Sequence, residues 1–301
     1  MKVIVTGGAG FIGSYLVNKL VNTYDVTIVD DLSHGEKKRI NRKADFVQSD
    51  LLHDSHDYLE GADAIFHLAA NPDVRIGAYD TNIHVEQNIL VTHRLLDAMR
   101  HHGVENIIFT SSSTVYGERT SPLKESDHCF PISTYGASKL ACEALISSFC
   151  HTFRMKGWIF RLANIVGPHL THGVIFDFID KLKDNPSTLE ILGDGKQEKS
   201  YLHVSDCIDA MVHGFVHSNN ALNVFNIGSQ DSITVDEIAQ IVSKTMDIHP
   251  RFSYTGGDRG WLGDVPKFRL DITKIKSLGW SPKYGSRDAV EKTAKILARR
   301  L

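Results

Sequence analysis

Tyr135 and Lys139 stand four residues apart in the run Ser133-Thr134-Tyr135-Gly136-Ala137-Ser138-Lys139. On a helix that spacing puts both side chains on one face. An ammonium group beside a phenol favours the phenolate. A phenolate takes a proton from an alcohol, and the phenol can later give one back. Upstream, Phe109-Thr110-Ser111-Ser112-Ser113-Thr114-Val115-Tyr116-Gly117 gathers hydroxyls at the end of an apolar run. A serine there can share a hydrogen bond with a substrate alcohol and steady the transfer. Taken singly, the first run is more often an exposed helix start and the second more often just a turn.

A third feature gives the pair something to work with. Gly7-Gly8-Ala9-Gly10-Phe11-Ile12-Gly13 directly follows the strand-like Lys2-Val3-Ile4-Val5-Thr6 and opens a helical pattern. In such a turn Gly7 permits the bend, Gly10 lets the backbone approach a pyrophosphate, and Gly13 lets helix and strand pack closely. The helix N-terminus then offers free N–H groups to phosphates. Asp30 ends the next strand-like run, seventeen residues after Gly13. Its carboxylate can accept both ribose hydroxyls of an adenosine and would repel a 2′-phosphate, so NAD is expected over NADP. The basic run Lys37-Lys38-Arg39 keeps NADP as the lesser alternative. A dinucleotide beside a proton-transferring Tyr/Lys pair implies hydride transfer at a carbinol carbon.

The elements that must hold these residues alternate. Strand runs are expected at Val3–Thr6, Val26–Asp30, Asp45–Val47, Ala64–Leu68, Asn106–Thr110 and Trp158–Ala163, apolar throughout as suits strands buried on both faces. Amphipathic helices are expected at Phe11–Val21, about Ile83–Arg100 and Tyr135–Phe153. That βαβ order predicts an α/β fold with a doubly wound parallel Rossmann sheet. The second half has shorter elements: helices at Ile175–Lys183, Ser205–Val216, Thr234–Thr245 and about Ser286–Ala298, a strand at Val224–Ile227, and a loop at Tyr254–Gly263. It predicts a smaller, partly interleaved C-terminal substrate domain. The breaker pair Gly167-Pro168 suggests domains of 1–167 and 168–301.

Bulk properties narrow the class. Of 301 residues, 42 % are hydrophobic and 23 % charged, enough to build a core. A formal net charge of −3 gives no basic excess for nucleic acid. No apolar run approaches a membrane span, and the immediate opening on a strand leaves no room for a signal peptide. The four cysteines form no Cys-x-x-Cys pair, so a reduced, cytoplasmic chain is expected. Sixteen histidines raise the question of a metal, but His213/His217, His53/His56 and His169/His172 lack a third ligand, and none is expected.

Together these motifs resemble the extended short-chain dehydrogenases/reductases, and among them the UDP-glucose (UDP-galactose) 4-epimerases. The resemblance spans nearly the whole chain and includes His67-Leu68-Ala69-Ala70, Arg161-Leu162-Ala163-Asn164, Tyr201-Leu202-His203-Val204-Ser205-Asp206, Asn226-Ile227-Gly228, Gly263-Asp264 and Leu278-Gly279-Trp280-Ser281-Pro282. It implies that Tyr135, as phenolate, takes the sugar O4 proton while the C4 hydride leaves for the nicotinamide. The 4-keto sugar then turns over and is reduced on its other face. Lys139 would hold the nicotinamide ribose and lower the pKa of Tyr135. The family's catalytic hydroxyl falls on Ser112. Beyond Gly7, Gly10, Gly13 and Asp30, the resemblance implies NAD contacts at Phe11, Ile12, Asp31, Leu32, Asp50, Leu51, Leu68, Ala69, Ala70, Asn88, Tyr135, Lys139 and Ala163. It implies nucleotide-sugar contacts at Ser112, Tyr135, Asn164, Val174, Lys199, Tyr201, Arg259 and Phe268, and a homodimer.

Three positions depart from the pattern. Pro72 replaces a lysine that some epimerases carry. Lys199 replaces an arginine, which removes bidentate phosphate recognition. Phe268 is bulky at a position that gates N-acetyl sugars in the family, which favours UDP-glucose and UDP-galactose. Other nucleotide-sugar enzymes remain as alternatives: a uronate epimerase, a decarboxylase, or a 4,6-dehydratase. Against the last, Ser112-Ser113-Thr114 carries no acid where elimination needs one. A net NAD(H) oxidoreductase and a non-catalytic dinucleotide sensor are further alternatives; the sensor has no need of Tyr135 with Lys139.

Overall fold

The computed structural model describes residues 1–119, 121–261 and 264–300. Gly263, which ends the expected 254–263 loop and begins the Gly263-Asp264 run, lies outside the described residues. The chain divides into two compact units. The first comprises 1–117, 128–161 and 211–225, and the second comprises 118–127, 162–210 and 226–301.

The first unit is built on a seven-stranded sheet. Its strands are β1 (Lys2–Thr6), β2 (Asp25–Asp30), β3 (Asp45–Gln48), β4 (Ala64–His67), β5 (Asn106–Ser112), β6 (Lys156–Leu162) and β11 (Leu222–Ile227), in the order β11-β6-β5-β4-β1-β2-β3. The pairs β1/β2, β1/β4, β2/β3 and β4/β5 are parallel. The apolar runs follow from this, because the central strands have no solvent face: Val3, Ile4, Val5, Ile65 and Phe66 are fully buried. The order turns back between β1 and β4, so the strand ends there open the crevice where such sheets bind ligands. The expected doubly wound parallel sheet is what the chain forms.

Helices α1 (Phe11–Leu20), α2 (Val91–His102) and α3 (Thr134–Phe153) pack on this sheet. The helix expected from about Ile83 is not uniform: Val85–Leu90 is a π-helical turn that runs into α2. That widened turn carries Asn88, whose side chain makes long-range bonds described below. α3 starts on Ser133, whose hydroxyl accepts from the Gly136 N–H at 3.1 Å.

The second unit is made of shorter pieces. Helices α4 (Val174–Asp184), α5 (Val204–His217, of which 204–210 belong to this unit), α6 (Val235–Thr245) and α8 (Ser286–Arg300) fall close to expectation, and a short α7 (Thr273–Ser277) was not expected. Strands β7 (Asn164–Val166), β8 (Thr188–Ile191), β9 (Glu198–Lys199), β10 (Tyr201–His203), β12 (Ile233–Thr234), β13 (Arg251–Tyr254) and β14 (Lys267–Phe268) pair as β10/β7, β13/β8 and β12-β9-β14. Strands of two to four residues show no periodicity to read, and Tyr254, expected in a loop, closes one of them. α6 opens with a reciprocal cap between Thr234 and Glu237. No helix among the described residues is long and apolar enough to cross a membrane.

Candidate active site

The glycine turn sits at the switch point of the sheet. Gly7 has φ +71°, and a Cβ there would stand 2.7 Å from the Ala69 backbone nitrogen, so its bareness lets the Leu68-Ala69-Ala70 run after β4 lie against the turn. A Cβ on Gly13 would overlap the Gly7 carbonyl oxygen, so helix α1 needs that glycine to pack. Gly10 is different. Its backbone is extended (φ −75°, ψ −175°), and the nearest atom to a Cβ there is the Gly7 oxygen at 3.2 Å. A side chain at Gly10 would press on that one atom alone and ask it to give by a few tenths of an ångström, a far smaller clash than at Gly7 or Gly13. This fits a pyrophosphate on the α1 N-terminus. Gly10→Ala is therefore expected to leave the thermal midpoint nearly unchanged while weakening NAD by roughly tenfold or more. Calorimetric titration of the cofactor-stripped chain measures it; unaltered affinity would mean the dinucleotide lies elsewhere.

Asp30 is 7 % exposed and held from both sides. Its Oδ2 accepts the Ala9 N–H and its Oδ1 the Leu32 N–H, each at 2.9 Å. Burial pushes its pKa up, and these two backbone bonds oppose the rise. Leu32 takes φ +65° to make its bond. The nearby basic run does not present its buried member freely: Arg39 is 8 % exposed and paired with Glu36, which also holds Lys38 at 2.5 Å. Asp31 and Asp50 are exposed, Phe11 and Ile12 half-buried, while Leu51 is buried in the apolar core.

Asn88 is 2 % exposed, and its amide is committed within the protein. Oδ1 accepts the Asn71 N–H at 2.8 Å, and Nδ2 donates to Ser138 Oγ at 2.9 Å. Asn88 thereby ties the chain after Ala70 to helix α3. His67 is likewise internal, between Thr6 Oγ1 at 2.8 Å and Thr92 Oγ1 at 3.1 Å, and burial pulls its pKa down to about 3, so it stays neutral.

Ser112, at the end of β5, stands beside Tyr135, and its hydroxyl favours the ionised form of the phenol. Ser112 Oγ also accepts from the Thr114 N–H at 3.2 Å and from Thr114 Oγ1 at 2.9 Å. Lys139 is 3 % exposed; its Nζ donates to the Thr110 carbonyl at 3.0 Å and stands 5.9 Å from the Tyr135 ring centre. His84 packs edge-on to that ring at 5.6 Å. The structure thus brings Ser112, Tyr135 and Lys139 together. In the chain alone, burial governs their electrostatics. Burial pushes Tyr135 up to about 12, against the nearby Ser112 hydroxyl that lowers it, and burial pulls Lys139 down to about 8. In the chain alone desolvation outweighs any help from the lysine, and Tyr135 rests as a phenol.

Two features escaped the sequence reading. Arg161 in β6 and Glu143 in α3 form a buried pair, 2.7 Å between Nη2 and Oε2, with Ser111 Oγ on Glu143 at 2.5 Å and Tyr116 Oη on Arg161 at 2.9 Å. The signal was present: a charge inside an apolar strand must have a buried partner, and Glu143 lies one turn beyond Lys139. The other feature is Thr114, whose partner could not be inferred from a run of hydroxyls.

The remaining candidates lie in the second unit. Strand pairing sets Tyr201 opposite Asn164 and Phe268 beside Lys199. Asn164 Nδ2 is buried with no hydrogen-bond partner among the described residues. Lys199 is paired with Asp264, and Arg259 Nη2 with both oxygens of Glu118 at 2.9 Å. Tyr201 is buried, which pushes its pKa up, and Phe268 is 9 % exposed. Val174 opens α4, and the Ala163 N–H donates to Ile227. Among the described residues no group of three or more His, Cys, Asp or Glu side chains could hold a metal ion, and the four cysteines are free.

Comparison with known proteins finds relatives along the whole chain. The chain is 34 % identical over 300 residues to a putative UDP-glucose 4-epimerase of Methanocaldococcus jannaschii, covering 96 % of each. A solved UDP-galactose 4-epimerase superposes with a TM-score of 0.92 at 40 % identity, covering 100 % of both chains. A UDP-glucuronic acid 4-epimerase from Bacillus cereus, solved with UDP-glucuronic acid and NAD, superposes at 0.90 with 28 % identity and 100 % coverage of both. The model of the NAD dependent epimerase/dehydratase family matches residues 3–228, a span that takes in the glycine turn, Ser112, Tyr135 and Lys139, and the chain belongs to that family.

Proposed function

We propose that the chain is an NAD-dependent 4-epimerase of a UDP-hexose, interconverting UDP-glucose and UDP-galactose through a transient 4-keto sugar. The observation that carries this reading is that the Ser112 hydroxyl stands beside Tyr135, close enough to stabilise its ionised form, with Lys139 one turn along the same helix. When bound, oxidised NAD supplies a hydride acceptor and a positive charge. Tyr135 rests as a phenol in the chain alone, so it becomes a base in the loaded protein, where its ionised form gains a cationic neighbour. It then removes the proton of the sugar 4-hydroxyl and returns one to the oxygen after the sugar has turned. Ser112 shares a hydrogen bond with the same oxygen, and Lys139 holds the nicotinamide ribose.

Asn164 offers its unpartnered amide to the diphosphate. Lys199 and Arg259 reach it by exchanging their Asp264 and Glu118 partners for phosphate oxygens, Tyr201 and Val174 border the nucleotide sugar, and the buried Phe268 excludes N-acetyl groups. Ser113 and Thr114, where a dehydratase needs an acid, speak against elimination.

The experiment is incubation with UDP-galactose, no cofactor added, followed by NMR. UDP-glucose is expected to accumulate until the two sugars reach equilibrium, with NAD released on denaturation. Conversion of UDP-glucuronate or UDP-N-acetylglucosamine with none of UDP-galactose would overturn the substrate assignment. A strict need for added NAD(H) would overturn the closed redox cycle.

A further inference from the structure

The hydroxyl chain behind Tyr135 has a member to which the reaction assigns no task, Thr114. Its N–H donates to Ser112 Oγ at 3.2 Å and its Oγ1 donates to the same oxygen at 2.9 Å. A hydroxyl has one proton to give and two lone pairs to receive with. The Thr114 N–H fills one lone pair in every state of the site. The Thr114 Oγ1 donates into the second lone pair, so both acceptor sites of Ser112 are filled and its own proton is free to point at Tyr135. An ionised Tyr135 can only accept, and it takes that proton.

We propose that Thr114 is a positioning residue for the proton transfer: by donating to Ser112 through both its N–H and its hydroxyl, it turns the Ser112 proton onto Tyr135 Oη whenever Tyr135 is ionised. A donor feeding a donor strengthens both bonds, so the benefit reaches the phenolate although Thr114 does not touch it. The packing holds this arrangement in place. A Cβ on Gly136 would stand 2.7 Å from the Thr114 carbonyl oxygen, so the first turn of α3, with Tyr135 on it, is seated directly on Thr114. The other titratable groups facing Tyr135 are Lys139 and Cys142 from its own helix and His84 from the turn before α2; all three are left untouched by changes at position 114.

The inference rests on the proposed reaction, and the test separates the two. Thr114→Val keeps the shape and the N–H but removes the hydroxyl; Thr114→Ser restores it. The first readout needs no substrate: tyrosine labelled with carbon-13 at the hydroxyl-bearing carbon, the Tyr135 signal assigned by its loss in Tyr135→Phe, titrated in the NAD-loaded protein. Thr114→Val is expected to move the Tyr135 ionisation upward by roughly one pH unit, and Thr114→Ser to return it. The second readout is the pH profile of turnover, whose rising limb should move alkaline by the same amount with KM little changed. An unshifted Tyr135 in Thr114→Val, or a shift that Thr114→Ser does not reverse, overturns the proposal. If Thr114→Val fails to fold, Thr114→Ala carries the same comparison. A shift of Tyr135 in a protein that converts no UDP-hexose would sustain the role of Thr114 and sink the reaction.

Discussion

Tyr135→Phe is expected to lower epimerase turnover by roughly 10²- to 10⁴-fold, the usual contribution of a positioned acid–base group. The change removes one oxygen and nothing else. The ring keeps its edge contact with His84, and Lys139 keeps its bond to the Thr110 carbonyl, so NAD should remain bound and the fold intact. Ser112 keeps both bonds from Thr114 but loses the oxygen its proton faces. The wild-type profile should rise toward alkaline pH, because burial pushes Tyr135 up to about 12 and a base works only in its deprotonated fraction. The cationic cofactor should bring that limb down from where the chain alone would put it. Steady-state kinetics with protein-bound NAD measured in parallel decides the matter. Near-normal turnover in Tyr135→Phe would remove the mechanism.

The largest effect on stability is expected at Arg161. Replacing it with Met leaves the Glu143 carboxylate, 6 % exposed, with the Ser111 hydroxyl as its remaining hydrogen-bond partner among the described residues and Lys139 as the nearby positive charge. Breaking a buried pair from one side costs about 3–5 kcal/mol, because the surviving charge keeps its desolvation penalty. The damage should reach the site. Glu143 grips Ser111, which adjoins Ser112, and rides on the helix that carries Tyr135 and Lys139. Turnover should therefore fall as well. The double variant Arg161→Met/Glu143→Leu removes both charges and should regain most of the stability, short by the bonds Ser111 and Tyr116 lose. Urea unfolding of the three proteins tests this. A double variant as weak as the single one would show that the loss is packing and not an uncompensated charge.

The long elements were legible because their signals are local. Apolar runs without alternation gave the buried strands of the seven-stranded sheet, and the glycine turn marked the first strand-to-helix junction. The second unit was harder, because strands of two to four residues are made by pairing and have no pattern of their own. The pairings of Tyr201 with Asn164 and Phe268 with Lys199 join positions 37 and 69 residues apart along the chain. The turn at Val85–Leu90 was hidden for a related reason: its sequence reads as ordinary helix, and what accompanies its widening is the pull of Asn71 and Ser138 on Asn88.

By itself the sequence determined the kind of chemistry this protein carries, since a Tyr and a Lys four apart and a glycine turn followed by an acid act through short-range geometry that the local chain already sets. Only the tertiary structure decided the charge states. Whether Tyr135 rests as phenol or phenolate depends on how much water the folded chain removes from it, and whether Lys139, Arg161 and Glu143 can stay charged depends on partners from other strands and helices. Desolvation and charge pairing are properties of the packed interior, and no spacing along the chain encodes them.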